Sequence, residues 1–186
     1  MHSPFAEFSS ADKTRAYLLS DLLDQIETCV PALRRYARAL TRNIDLADDL
    51  VQDCLERAIS RRGLFRPTGP VRAWLFTILL NLYRNSLRSS HRRGETVDID
   101  AIPELSTPAT QPGHIALAEM ARAIETLPLD QKEALLLIAL EGLSYAEAAT
   151  ILGIPQGTLM SRLGRARAAL RTLTSAGAEP HLRTVK

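Results

Sequence analysis

Apolar residues recur at steps of three and four along most of the chain, the spacing that places side chains on one face of an α-helix. Four N-terminal helices are predicted, over residues 12–29, 32–41, 45–60 and 71–89. Pro31 is expected to break or restart the first of them. The stretches 61–70 and 94–114 interrupt the pattern with glycine and proline, and helical spacing resumes from Ile115 to about Leu173. The pattern predicts an all-α protein.

Residues 144–171 have the pattern of a helix, a tight turn and a second, arginine-rich helix. Ser144 and Glu147 fit a capping box that starts a helix ending near Leu152. Gly153 follows, where a left-handed residue commonly ends a helix. This arrangement is typical of the helix-turn-helix of DNA-binding proteins. A plain helical hairpin would show the same apolar spacing, but it would not need the arginines of the second helix, which are Arg162, Arg165, Arg167 and Arg171.

The stretch 94–114 is predicted to be an extended linker because it contains three prolines, four acidic residues and no lysine or arginine. The chain is therefore expected to form two small helical domains, the C-terminal one a helix-turn-helix. The predicted segments are a flexible tail over 1–11, a helical domain over 12–93, the linker over 94–114, a helix-turn-helix domain over 115–174 and a flexible tail over 175–186.

Charge is distributed unevenly, although the formal net charge is only +2. Residues 84–93 and 162–171 each contain several arginines and no acid, whereas the linker between them is acidic. The planar guanidinium group of arginine suits phosphates and guanine edges. The distribution, rather than the sum, indicates nucleic-acid binding.

Catalytic, metal and membrane functions find little support in the sequence. Cys29 and Cys54 lie among apolar helical residues at a spacing that matches no metal motif, and the four histidines are scattered. No nucleophile–base pair or phosphate-cradling loop appears. No apolar run approaches a membrane span, and the N-terminus lacks the order of a signal peptide. We expect a cytoplasmic protein with buried thiols, no catalytic residues, no metal, no cofactor and no membrane insertion.

The predicted helix over 45–60 has one apolar and one acidic face. Its apolar face is Ala47, Leu50, Val51, Cys54, Leu55, Ala58 and Ile59. Its acidic face includes Asp49, Gln52, Asp53 and Glu56. A solvated acidic surface near a helix N-terminus, which the helix dipole favours, explains this face as simply as a docking surface for a basic partner does.

The predicted helix over 71–89 has a polar stripe beside its apolar face. The stripe is Thr77, Asn81, Arg84 and Arg88, with Asn85 next to it. Amide and guanidinium groups pair with base edges and phosphates, whereas the alternative is an ordinary solvated surface. Trp74, at the edge of the stripe, could stack on a base, although a role in the core is the favoured interpretation.

Taken together, these motifs resemble a bacterial sigma factor of the extracytoplasmic-function (ECF, group IV) class. The resemblance is carried, in order, by DLVQDCLERAI, by VRAWLFTILLNLYRNSLR and by the stretch from IETLPLDQKEALLL to GRARAAL. It covers about residues 30–92 and 115–173. It implies a protein that is not an enzyme, binds core RNA polymerase, and recognises and opens promoter DNA for a stress or envelope regulon. The resemblance also implies an anti-sigma factor as a further partner.

The resemblance also implies a role for each surface. The β′ clamp helices of the polymerase, whose β subunit is a further partner, would contact Asp49, Gln52, Asp53 and Glu56. The minus-ten element would be melted and read, with base flipping, by the loop 65–70 and by Trp74, Thr77, Asn81, Arg84, Asn85 and Arg88. The minus-thirty-five element would be read in the major groove by Gln156, Thr158, Met160, Ser161, Arg162 and Arg165. The linker would thread toward the polymerase active centre.

Some features depart from the family pattern or leave other functions open. Many relatives have a basic residue in place of Met160 and a larger side chain in place of Gly164, and the predicted helix over 12–28 has no assigned role. A helix-turn-helix regulator that binds a palindrome as a dimer is one alternative. A sigma mimic that binds a regulator and not DNA is another. The acidic face argues against the first, and the arginines argue against the second.

Overall fold

The computed structural model describes residues 10–62, 69–93 and 112–176, which form seven helices. The helices are α1 Ser10–Thr41, α2 Ile44–Ser60, α3 Val71–Arg93, α4 Pro112–Glu125, α5 Leu129–Ala139, α6 Tyr145–Leu152 and α7 Gln156–Ala176. The predicted all-α class is confirmed. Most of both predicted tails, residues 63–68 of the predicted loop and residues 94–111 of the predicted linker lie outside the described residues.

The prediction that Pro31 breaks the first helix is wrong, because α1 continues through it. A proline inside a helix costs about 3 kcal/mol, since it removes a backbone donor and crowds the preceding turn. The buried face of α1 nevertheless continues on both sides of Pro31, with Ile26 before it and Leu33 after it. Packing of that face therefore outweighs the local cost.

Two predicted helix boundaries also shift. α3 runs to Arg93, four residues beyond the predicted end. α4 starts at Pro112, inside the predicted linker, and the fixed φ of proline is compatible with the first turn of a helix.

The first three helices pack together as an N-terminal domain. Asn43 starts α2, because its side chain accepts a hydrogen bond of 2.9 Å from the backbone N–H of Leu46. The rings of Tyr36 and Phe76 meet edge to face at 5.2 Å in the core. The fully buried side chains around them include Leu33, Leu40, Val51, Leu75, Leu79 and Leu80.

The face that α2 turns to this core matches its predicted apolar face except at one end. Ala47, Leu50, Val51, Cys54 and Ala58 are buried. Leu55 is only partly buried, and Ile59 is 41% exposed, so the prediction that Ile59 is buried is wrong. In the last turn of α2, Ala58 still packs on the core, whereas Ile59 is exposed to solvent.

The two cysteines are free thiols, of which Cys54 is buried and Cys29 is half-buried. Burial raises the pKa of the Cys54 thiol to about 12, and its Sγ donates to the carbonyl oxygen of Leu75 at 3.4 Å. Among the described helices, none combines the length and apolar character needed to cross a bilayer.

The helix-turn-helix forms as its local signals predict. Ser144 and Glu147 make both hydrogen bonds of the capping box, which lowers the pKa of Glu147. Gly153 ends α6 with φ 66° and ψ 36°, the left-handed conformation that glycine adopts without a Cβ penalty. On α7, Leu159, Leu163 and Ala166 are buried against α5 and α6.

The N-terminal and C-terminal domains are in contact. α5 packs on α1, and α6 packs on α3. The polar surfaces predicted on α3 and α7 therefore lie close to this interdomain contact.

Candidate polymerase and nucleic-acid interfaces

The acidic face of α2, which consists of Asp49, Gln52, Asp53 and Glu56, is exposed along its whole length. Within it, the Gln52 amide donates to Glu56 at 3.1 Å. A shallow cavity of about 320 Å³ runs beside the face, and its lining includes the exposed Ile59. An acidic surface bordered by an exposed apolar side chain has the composition of a protein-docking site. The sequence pattern missed Ile59 as part of this surface.

Some side chains of the polar stripe of α3 are exposed, whereas others contact the protein itself. Asn81, Asn85 and Arg88 are exposed. Thr77 is half-buried, and its hydroxyl donates to the carbonyl of Ala73 within the helix at 2.9 Å. Trp74, which the resemblance includes among the minus-ten residues, is partly buried against the core, as its favoured interpretation as a core residue predicts.

Arg84 differs from the rest of the stripe because its guanidinium group binds a residue of the other domain. Its Nε and Nη2 atoms donate to the two carboxylate oxygens of Glu133 on α5, at 2.9 and 2.6 Å. Hydrogen bonding to this carboxylate raises the pKa of Arg84, so the arginine is charged throughout the physiological range. Bidentate pairs of this kind are among the stronger polar contacts in proteins.

The predicted reading surface of α7 faces solvent over most of its length. Gln156, Met160, Ser161 and Arg165 are exposed, and Thr158 is half-buried. Arg162 lies partly buried and pairs with Asp130 of α5 at 3.2 Å. At Gly164, an added Cβ atom would meet nothing within 4 Å, so the surface of α7 is open at this position.

One cleft between the domains is lined by residues that the family resemblance assigns to two separate DNA elements. Its volume is about 560 Å³. Arg84 and Arg88 reach it from α3, and Arg162 reaches it from α7. Asp130 and Glu133 of α5 lie between these arginines. The sequence pattern predicted no functional role for α5. Its acidic residues lie within a largely apolar helix, and the arginines that pair with them are distant in the chain.

Comparisons with known proteins agree with this architecture. Residues 26–80 match the family model "Sigma2 domain of PhyR", and residues 117–170 match "Sigma-70, region 4". The chain is 42% identical over 156 residues to the ECF RNA polymerase sigma factor EcfG of Rhodopseudomonas palustris, covering 84% of this chain and 86% of that protein. It is 33% identical over 150 residues to the ECF RNA polymerase sigma-E factor of Escherichia coli K12, covering 73% and 78% of the two chains.

A solved structure is similar over nearly the same span. The sigma factor RpoE of Bartonella quintana, determined in complex with the anti-sigma factor NepR, superposes with a TM-score of 0.70 at 36% identity. The superposition covers 83% of this chain and 97% of that one. The chain therefore belongs to the ECF family of RNA polymerase sigma factors. It directs transcription initiation, and neither a dimeric regulator nor a sigma mimic is favoured as an alternative.

Proposed function

We propose that this sigma factor binds core RNA polymerase through the acidic face of α2 and promoter DNA through α3 and α7. One observation carries the polymerase assignment: Asp49, Gln52, Asp53 and Glu56 are exposed together on a helix whose opposite face is buried. A rigid row of acidic and amide groups is complementary to a basic partner. The β′ clamp helices are that partner, with the β subunit as a further contact.

The DNA assignment follows from the chemistry of the exposed groups. On α3, Asn81, Asn85 and Arg88 offer amide and guanidinium donors to a melted minus-ten strand, and Arg84 joins them when it leaves Glu133. On α7, Gln156 at the start of the helix and Arg165 in its N-terminal half are exposed, and a groove-bound helix meets base edges with this half. These groups give the minus-thirty-five contact.

An anti-sigma factor is a further partner in this proposal. RpoE was solved with the anti-sigma factor NepR, and CnrH, which is 30% identical to this chain with a TM-score of 0.63, was solved with the cytosolic domain of CnrY. A regulated sigma factor suits a stress or envelope regulon. The protein would act in the cytoplasm, where core polymerase transcribes, and would contribute no catalytic residue, because the polymerase performs the chemistry.

Reconstitution with sigma-free core polymerase tests the proposal. The purified chain and core polymerase should co-migrate in gel filtration, and the mixture should initiate transcription at a subset of fragments in a genomic promoter library. Core polymerase alone is the control. A chain that forms a dimer on palindromic duplexes and never co-migrates with the polymerase would instead be a helix-turn-helix regulator.

A further inference from the structure

The cleft between the two domains has the size and the mixed lining of a small-molecule site. Its volume of about 560 Å³ lies within the range typical of such sites. Arg84 and Arg88 line it from α3, Arg162 lines it from α7, and Asp130 and Glu133 line it from α5. Aliphatic side chains complete the lining. The cleft thus combines charged groups, which can orient a ligand, with apolar surface that can cover it.

Two of the three arginines are already held in place by the carboxylates of α5. Glu133, whose side chain is 2% exposed, accepts from Nε and Nη2 of Arg84 at 2.9 and 2.6 Å, which leaves the Nη1 amino group outside this pair. Asp130 lies 3.2 Å from Nε of Arg162, whose side chain is 21% exposed. An arginine whose orientation is fixed in this way loses little further side-chain entropy when its remaining N–H groups bind a ligand. Arg84 and Arg162 are therefore preorganised donors.

Arg88 gives the cleft its surplus of positive charge. This arginine is exposed, and its guanidinium group has no ion pair or hydrogen bond with any residue that the structure describes. Because three arginines face two carboxylates, the charged residues that line the cleft sum to a formal charge of +1. A cleft with a surplus of one sign of charge attracts ions of the opposite sign. The charge therefore favours an anionic ligand.

The donor groups select among anions. A guanidinium group presents its N–H donors in a planar fork, which matches the oxygens of a phosphate and binds them in pairs. Arg88 and Arg162 enter from opposite domains, so a ligand that contacts both needs acidic oxygens in more than one place, and linked phosphates provide them. Leu87, Leu152 and Ile154 would contact the uncharged part of such a ligand. A neutral apolar ligand is disfavoured, because it would bury charged groups without a partner.

We propose that the cleft binds a small molecule that carries a pyrophosphate group, the class to which nucleoside diphosphates and triphosphates belong. Arg88 and Arg162 bind phosphate oxygens from the two sides, and the remaining amino group of Arg84 adds a further donor. Asp130 and Glu133 do not contact the ligand but position two of the arginines. Because the proposed function assigns the same arginines to promoter DNA, an occupied cleft would withhold them from DNA, and only this consequence rests on the proposed function.

Isothermal titration calorimetry of the full chain with inorganic pyrophosphate tests the site without polymerase or DNA. Sodium chloride keeps the ionic strength constant, so that general screening of charge is matched. The wild type should bind one pyrophosphate, and Arg88→Ala should weaken binding about tenfold, the loss expected for one charge-assisted contact. Arg57→Ala removes an exposed arginine of α2 that does not line the cleft, and it is the matched control. Absence of saturable binding, or an equal loss in both variants, would overturn the proposal.

A second variant shows whether the two domains share one site. Arg162→Ala should also weaken binding about tenfold, while the stoichiometry stays at one. Two separate anion sites, one on each domain, would instead give two bound pyrophosphates per wild-type chain and one per variant, and would overturn the shared cleft. Arg88 has no partner to lose among the described residues, so Arg88→Ala is expected to fold and keeps the test decisive if Arg162→Ala does not. Circular dichroism checks that both variants remain helical.

Nucleotides distinguish the source of the pyrophosphate group. ATP should bind more tightly than pyrophosphate, because the aliphatic residues contact the nucleoside, whereas equal affinities would identify inorganic pyrophosphate as the occupant. Adenosine, which lacks phosphate, should not bind, and adenosine that binds as tightly as ATP would overturn the role of the arginines. A chain that binds pyrophosphate but never co-migrates with core polymerase would overturn the proposed function and leave this site standing.

Discussion

The acidic face of α2 and the polar stripe of α3 belong to the same small domain but differ in accessibility. Both are polar sides of amphipathic helices, and both follow helical spacing in the sequence. All four residues of the acidic face are exposed. In the stripe of α3, Arg84 is bound by Glu133 of the other domain. The residues of a polar helix face therefore indicate which partners the face can bind. Whether the face is free to bind them depends on which element packs beside it.

The two surfaces therefore differ in the groups they offer. The α2 face presents all of its acidic and amide groups to solvent, whereas the guanidinium group of Arg84 in the α3 stripe is paired with Glu133. Four predictions test the comparison, from the largest expected effect to the smallest.

Charge reversal on α2 should have the largest effect. Asp53→Arg places a cation against a basic partner, which should weaken core polymerase binding by on the order of 3 kcal/mol, or about a hundredfold. Asp53 is exposed, so folding should be unchanged. Titration of labelled sigma factor with core polymerase measures the affinity, and Glu119→Arg on α4 is the control. If Asp53→Arg binds core polymerase with wild-type affinity, the acidic face is not part of the polymerase interface.

Loss of an exposed amide on α3 should impair strand opening more than duplex binding. Asn81→Ala should destabilise the open complex by roughly 2 kcal/mol, because the stripe is proposed to hold the unpaired strand. Permanganate reactivity of thymines near the start site reports opening, and Ser86→Ala on the same helix is the control. Arg84→Ala should impair opening as well, although it also removes the bidentate pair with Glu133. Normal permanganate reactivity in both Asn81→Ala and Arg84→Ala would contradict the role of the stripe.

A change on α7 should alter sequence preference at a single position. Arg165→Ala should relax the preferred minus-thirty-five sequence by about 1–2 kcal/mol at one base pair, because Arg165 is exposed in the N-terminal half of the helix. Arg171→Ala, further along the helix, should keep the preference and weaken all sequences alike. Selection from a randomised element separates the two. If Arg165→Ala leaves the sequence preference unchanged, then Gln156 or Ser161 reads the bases instead.

The smallest effect is expected at an exposed apolar position of α7. Met160 is 54% exposed, and Met160→Arg adds a cation to the surface proposed to contact DNA. Affinity for duplex DNA should rise only a few-fold, and the slope of log affinity against log salt should steepen by about 0.9 for one added phosphate contact. Met160→Leu controls for the loss of the thioether. An unchanged salt slope would show that position 160 lies away from the phosphates.

The sequence predicted most where the determining interactions are local. The capping box of Ser144 and Glu147 and the left-handed Gly153 act within a few residues of each other, and α6 has the predicted bounds. The buried face of α7 follows directly from spacing. The error at Pro31 has the opposite cause, because α1 is continued by packing against α2 and α3, which no local rule includes.

By itself, then, the sequence determined the helices, the helix-turn-helix and the polar faces that define the family, since periodicity and capping are encoded within a few turns. Only the tertiary structure decided which of these faces is covered. Arg84 and Glu133 are 49 positions apart, and Arg35 and Glu141 are 106 positions apart. The spacing of charges along one helix cannot reveal a partner at that distance. Whether a charged residue is solvated or paired in a buried junction therefore depends on how the two domains dock.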